Sequence, residues 1–121
     1  MNNITNPTLY IVVPCYNEEA VLPETSKRLL AKLKSLIESE QVSHQSRIMF
    51  VDDGSRDKTW EMISTYHNEN AHFSGVKLSR NRGHQNALLA GLMTAKESAD
   101  CIISMDADLQ DDIDVVDQFV A

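Results

Sequence analysis

Asp106 and Asp108 flank a single alanine directly after the apolar run Cys101-Ile102-Ile103-Ser104-Met105. The run reads as a buried strand, and two carboxylates leaving its end can face one hard cation. Magnesium or manganese takes oxygen ligands and lets substrate phosphates complete its shell. A cation held there would neutralise a diphosphate, and Gln110 could add a carbonyl oxygen or hold a metal-bound water. The plainer reading is a solvated acidic turn capping a last helix through Asp111 or Asp112.

Three other polar clusters carry candidate chemistry. Asp52-Asp53-Gly54-Ser55 combines a turn-forming glycine with a helix-capping serine. Its carboxylates could also accept hydrogen bonds from a base N–H or a ribose hydroxyl, and Asp53 suits uracil, whose N3–H is a donor. Pro14-Cys15-Tyr16-Asn17-Glu18 opens a helix, with Asn17 able to cap it and Glu18 and Glu19 suited to the helix dipole. Arg80-Asn81-Arg82-Gly83-His84 precedes another helix, where cations and free amides suit an anion. His84 by itself reads as a surface or capping residue. His44, His67 and His72 read as surface residues, and Cys15 and Cys101 as buried packing residues.

The elements between these clusters would bring them together. Leu9–Pro14, Arg47–Val51, Phe73–Leu78 and Cys101–Met105 are β-rich apolar runs. Helical patterns alternate with them: Glu18 to about Glu40, a segment capped by Ser55 or Asp57 with Trp60, Ile63 and Tyr66 inward, and Gln85–Ala95. A further helical spacing runs through Ile113, Val115, Val116, Phe119 and Val120. The alternation predicts an α/β fold, a parallel sheet with helices on both faces and right-handed crossovers. Ligands in such sheets bind beyond the carboxyl ends of the strands, where all four polar clusters fall.

Composition narrows the function. At 121 residues the chain holds one domain at most, and its 42% hydrophobic and 24% charged content is that of a globular protein. A net charge of −7 with no offsetting basic patch argues against nucleic-acid binding. Two cysteines without Cys-x-x-Cys spacing argue against a disulfide framework and a zinc site. No apolar run approaches the roughly 20 residues that span a bilayer. The glycine fingerprints of dinucleotide-binding and phosphate-binding loops are missing. The apolar end at Ala121, without a capping glycine or polar tail, leads us to expect a soluble piece of a longer protein.

Together, Val13-Pro14-Cys15-Tyr16-Asn17-Glu18-Glu19, Val51-Asp52-Asp53-Gly54-Ser55, Leu78-Ser79-Arg80-Asn81 with Gly83, and Asp106-Ala107-Asp108-Leu109-Gln110-Asp111 resemble the family 2 glycosyltransferases. Within them the match is to the polyprenyl-phosphate branch, the dolichol-phosphate mannosyltransferase-like and bactoprenol glucosyltransferase-like enzymes; the Leu-Gln after Asp108 favours that branch over polysaccharide synthases. The resemblance spans Leu9 to Asp112. It implies a GT-A (Rossmann-like) fold, with residues 1–121 as the N-terminal nucleotide-sugar-binding part. It further implies a nucleotide-sugar donor, expected to be a UDP-sugar, a lipid-phosphate acceptor, and inverting, metal-dependent transfer with Mg2+ or Mn2+. By the same analogy Pro14, Tyr16, Glu18, Asp53, Arg80, Gly83 and Asp106 bind nucleotide. Asp106, Asp108 and Gln110 surround the metal, with Asp106 and Asp108 as the catalytic pair.

Two departures accompany the resemblance. Arg82 stands where these enzymes often carry an aromatic or apolar residue. The second half of the domain, with acceptor-side residues and membrane-associated helices, does not follow in this chain. The expectation is therefore an enzyme on the cytoplasmic side of the membrane at full length, and a piece that does not turn over alone. The open flank of the fourth strand is expected to pair with another copy. The rival readings are a glycosyltransferase with a polysaccharide or other hydroxyl acceptor, a magnesium-dependent phosphatase or phosphotransferase, and a non-catalytic nucleotide-binding module.

Overall fold

A computed structural model describes residues 6–108 and Val116. Four strands form one parallel sheet: β1 (Leu9–Cys15), β2 (Arg47–Asp52), β3 (Phe73–Lys77) and β4 (Cys101–Ser104), in spatial order β3-β2-β1-β4. The helices between them are α1 (Leu22–Glu38), α2 (Thr59–Glu69) and α3 (His84–Ala95). The expected strands appear within a residue of their expected ends. The predicted C-terminal helix, with Asp111 and Asp112, lies outside the described residues apart from Val116, which is buried.

Alternation along the strands sorts side chains between two helix layers. On one face Leu9, Ile11 and Val13 of β1 and Ile48 and Phe50 of β2 join Leu22, Leu29, Leu33 and Leu36 of α1 and Ile63 of α2. Phe73 stacks on Phe50 at 5.9 Å between ring centroids, and Tyr66 completes this aromatic cluster. On the other face Val12, Met49 and Val51 meet Ala87 and Ala95 of α3. Small residues let α3 lie close to the sheet: a side chain at Gly91 would strike Val12 Cγ1 at 2.5 Å.

Two helix starts differ from expectation. α1 begins at Leu22 rather than Glu18, with Pro23 in its first turn, where a missing N–H costs nothing. Asn17 does not cap it. Asn17 sits at φ 53°, and its side-chain oxygen accepts the Arg56 N–H at 2.8 Å. α2 has Lys58 at its cap position, without a side-chain cap bond. Asp57 Oδ1 nonetheless accepts the N–H of Thr59, the first residue of α2, at 2.9 Å, while both Ser55 and Asp57 reach across to the β1–α1 loop: Ser55 Oγ accepts the Asn17 N–H at 2.8 Å and Asp57 Oδ2 the Glu19 N–H at 3.2 Å. The two loops are thereby tied together. Two of the histidines expected at the surface also bind backbone, His67 Nδ1 lying 2.7 Å from the Phe73 carbonyl oxygen and His72 Nδ1 3.0 Å from that of Ser46.

Register aligns the site. Cys15, Asp52 and Lys77 are direct cross-strand neighbours, so β1, β2 and β3 end in one row. The chain runs outward through β1, β2 and β3 and then returns to place β4 on the other side of β1. The loops after β1 and β4 therefore diverge at a switch point, where a cleft opens.

Candidate active site

A cavity of about 310 Å³ occupies that switch point. Pro14 lines it from the end of β1, Tyr16 and Glu18 from the loop after β1, Asp53 from the β2 loop, and Asp106 and Asp108 from the β4 loop. Gly83 contributes from the turn before α3. The structure thus gathers these predicted residues at one edge. It leaves Arg80 outside the lining; the backbone of Arg80 instead packs over Gly54. Gln110 lies outside the described residues.

The sequence reading missed Cys15, Asn81, His84, Ala87 and Ala107 in the wall. His84 had the weakest signal, a lone histidine beside a glycine. It opens α3, and its Nε2 lies 3.9 Å from Asp106 Oδ1, both side chains being about half exposed. The pair carries opposite charge only while the imidazole is protonated.

The two acidic motifs are built differently. Ala107 is buried, and its carbonyl accepts the Thr25 hydroxyl of α1 at 2.5 Å. Two residues earlier, the Met105 N–H donates to the Val12 carbonyl at 3.0 Å. The backbone between the two aspartates is thus fixed by α1 and β1, while Asp106 is half-buried and Asp108 exposed. Asp53, by contrast, is 3% exposed, and its oxygens accept the N–H groups of Arg82 at 2.7 Å and Gly83 at 3.1 Å.

Like charges gather in this cleft. Burial pushes the Glu18 carboxyl above its ordinary value, and the carboxylates of Asp108, Asp57 and Asp106 push it further. Burial, with Glu18 and Asp52 nearby, pushes the Cys15 thiol far up, so it stays neutral and is no thiolate nucleophile. Burial also works against the charge of Asp57. Hydrogen bonds from the Thr59 hydroxyl and from the Thr59 and Glu19 N–H groups outweigh that and hold the Asp57 carboxyl below its usual range.

No three of the His, Cys, Asp and Glu side chains among the described residues form a group that could hold a metal ion. The carboxylate pair fits a partial shell of the kind magnesium uses, one or two carboxylates completed by substrate phosphates and water.

Residues 10–121 match the model of the family described as "Glycosyl transferase family 2". The chain belongs to that family. An uncharacterized glycosyltransferase of Bacillus subtilis, YkoT, is 52% identical over 116 residues, which are 96% of this chain and 34% of that protein. An undecaprenyl-phosphate 4-deoxy-4-formamido-L-arabinose transferase of Aeromonas hydrophila is 39% identical over 111 residues, 91% of this chain and 32% of the relative. The chain therefore spans about a third of the length of these curated relatives. Among solved structures, the mannosyltransferase PcManGT of Pyrobaculum calidifontis, in complex with GDP-Man and Mn2+, superposes with a TM-score of 0.64 at 24% identity. The match covers 85% of this chain and 28% of that one. TarS 1-349 of S. aureus, in complex with UDP-GlcNAc, gives 0.63 at 23% identity, over 84% of this chain and 26% of that one. These likenesses establish the GT-A fold, in agreement with the resemblance read from the motifs.

Proposed function

We propose that this chain is the donor-binding part of a glycosyltransferase that moves a sugar from a nucleotide-sugar to a polyprenyl phosphate with inversion. The observation that carries the reading is the switch-point cavity of this family 2 fold, with Asp106 and Asp108 on a backbone fixed by Thr25 and Val12. The polyprenyl-phosphate acceptor follows the relatives at 38–39% identity whose names specify an undecaprenyl-phosphate sugar transferase. A UDP-sugar is the donor we assign.

In this reading Pro14, Tyr16 and Glu18 line the nucleoside, and Asp53 accepts from the base. Gly83 leaves room beside the diphosphate, and Arg80 reaches the donor from its exposed position once the site is filled. Asp106 and Asp108, with Gln110, hold Mg2+ or Mn2+. The cation supplies neutralisation of the charge that develops on the leaving diphosphate. The acceptor phosphate oxygen attacks the anomeric carbon from the face opposite the diphosphate. That oxygen is already anionic, so the reaction needs no strong general base. The Cys15 thiol, held neutral, takes no part.

The whole protein would work at the cytoplasmic side of a membrane, reaching lipid through segments beyond these residues. No helix among the described residues is long and apolar enough to cross a membrane. Alone, this part binds donor and does not turn over, and its β4 edge pairs with a second copy. Incubating the protein at its natural length with UDP-sugars and undecaprenyl phosphate tests the assignment. A lipid-linked sugar phosphate and free UDP are expected. Transfer only to a hydroxyl acceptor would replace the acceptor assignment and leave the donor site standing.

A further inference from the structure

We propose that Asp53 is a positioning residue. Its carboxylate straps the Asn81–His84 turn against the cavity, so the group facing the base also sets the wall at the diphosphate end. The strap is an observation about the chain itself; its effect on diphosphate binding rests on the donor-site reading.

Asp53 is anchored first. It follows β2, it is 3% exposed, and its N–H donates to the Cys15 carbonyl at 2.8 Å. From that fixed point Oδ1 accepts the Arg82 N–H at 2.7 Å and Oδ2 the Gly83 N–H at 3.1 Å. Both donors sit immediately before α3, outside its hydrogen-bond ladder. Gly83 has φ 91°, a backbone conformation that side chains disfavour, although a Cβ there would meet nothing within 4 Å. The glycine therefore serves the bend rather than the space; within the turn Asn81 Oδ1 shares the Gly83 N–H at 3.1 Å, and from outside it, among the described residues, Asp53 alone reaches both Arg82 and Gly83.

Gly54 supplies a second contact to the same turn. A Cβ on Gly54 would fall on the Arg80 carbonyl carbon at 2.5 Å, so the turn rests directly on its backbone. Residues 53 and 54 thus hold residues 80–83 by charge-assisted hydrogen bonds and by close packing. Asn81, Gly83 and His84 line the cavity from this turn, and His84 stands beside Asp106. A shift at Asp53 is transmitted to that end of the site. Each carboxylate oxygen accepts more than one hydrogen bond, so Asp53 can take a base N–H without releasing the strap.

Amide hydrogen exchange on the ligand-free chain tests the strap. In Asp53→Ala, exchange at Arg82 should quicken about tenfold or more, and at Gly83, whose N–H keeps Asn81 Oδ1, by less. Asp53→Asn, which keeps one acceptor, should fall between it and the parent. Amides in β1 and β2 should not change. Unchanged exchange at Arg82 and Gly83 would overturn the proposal. Should Asp53→Ala fail to fold, scalar couplings across the hydrogen bonds, from the Arg82 and Gly83 nitrogens to the Asp53 carboxyl carbon of the parent chain, decide instead; their absence overturns it.

Titration with Mn2+ plus inorganic pyrophosphate, which has no base, tests the coupling. Weakening by several-fold in Asp53→Asn supports it, and weakening of UDP binding alone overturns it. A parent chain that binds neither probe refutes the donor-site reading and the coupling with it, while exchange still settles the strap.

Discussion

The two acidic loops use the same residue type for opposite ends. Asp53, in the cavity wall, is only 3% exposed and has both oxygens bound by backbone N–H groups. Asp106 and Asp108 stand partly or wholly in solvent on either side of a buried alanine. A buried carboxylate with donors on both oxygens is structural capital whose removal strands those donors. A solvent-facing carboxylate contributes less to folding. The lesson is that burial, rather than residue type, separates the carboxylate that holds the walls of this site from the pair that faces solvent.

The largest effect should come from breaking the loop beneath the strap. Gly54→Ala combines φ 71° with a collision against the Arg80 and Asn81 backbone. We expect a loss of about 3 kcal/mol or more in urea unfolding; a near-neutral result would mean that the turn is not seated there. Asp53→Ala should follow, with a loss of about 1–2 kcal/mol, since the Arg82 N–H loses its acceptor while the Gly83 N–H keeps Asn81 Oδ1. The exposed pair should differ in kind. Asp106→Ala and Asp108→Ala should each stay within about 0.5 kcal/mol of the parent in the same assay, while removing metal-dependent nucleotide binding. Equal stability losses at Asp53 and Asp108 would erase the contrast.

The smallest effect is a pH dependence. The Glu18 carboxyl is raised in the fold above its ordinary 4.5, first by burial and then by its acidic neighbours. A raised carboxyl binds its proton more tightly folded than unfolded. Its contribution is therefore fully present below the unfolded value and is lost as pH rises through the raised one. Unfolding midpoints followed upward from pH 4.5 should decline less in Glu18→Gln than in the parent. An unchanged slope would show that neither burial nor its acidic neighbours raise the Glu18 carboxyl. Asp57 acts the other way, its contribution lost only as pH falls below the ordinary 3.8.

What was legible in the sequence follows the range of the forces involved. Strands such as Leu9–Cys15 declare themselves by apolar runs, and the order of polar loops places them at one edge. The start of α1 was read too early, because the left-handed Asn17 and its bond to Arg56 depend on a partner 39 residues away. Asp57 does hold the first N–H of α2, as its local propensity suggested, but Ser55 binds the distant Asn17 instead, a partner that no local pattern shows. Asp53 was read as a base contact, while its bonds to Arg82 and Gly83 appear only once β2 and α3 are packed. His84 entered the site because the turn before α3 aims it at Asp106, which no local pattern encodes.

The central claim is a metal-dependent donor site at the edge between β1 and β4. Calorimetric titration of UDP into this chain, with Mn2+ and then with chelator, tests it most directly. We expect binding with Mn2+ that disappears with chelator and in Asp108→Ala. UDP binding of equal strength with chelator, or unchanged in Asp108→Ala, would contradict the assignment of that pair.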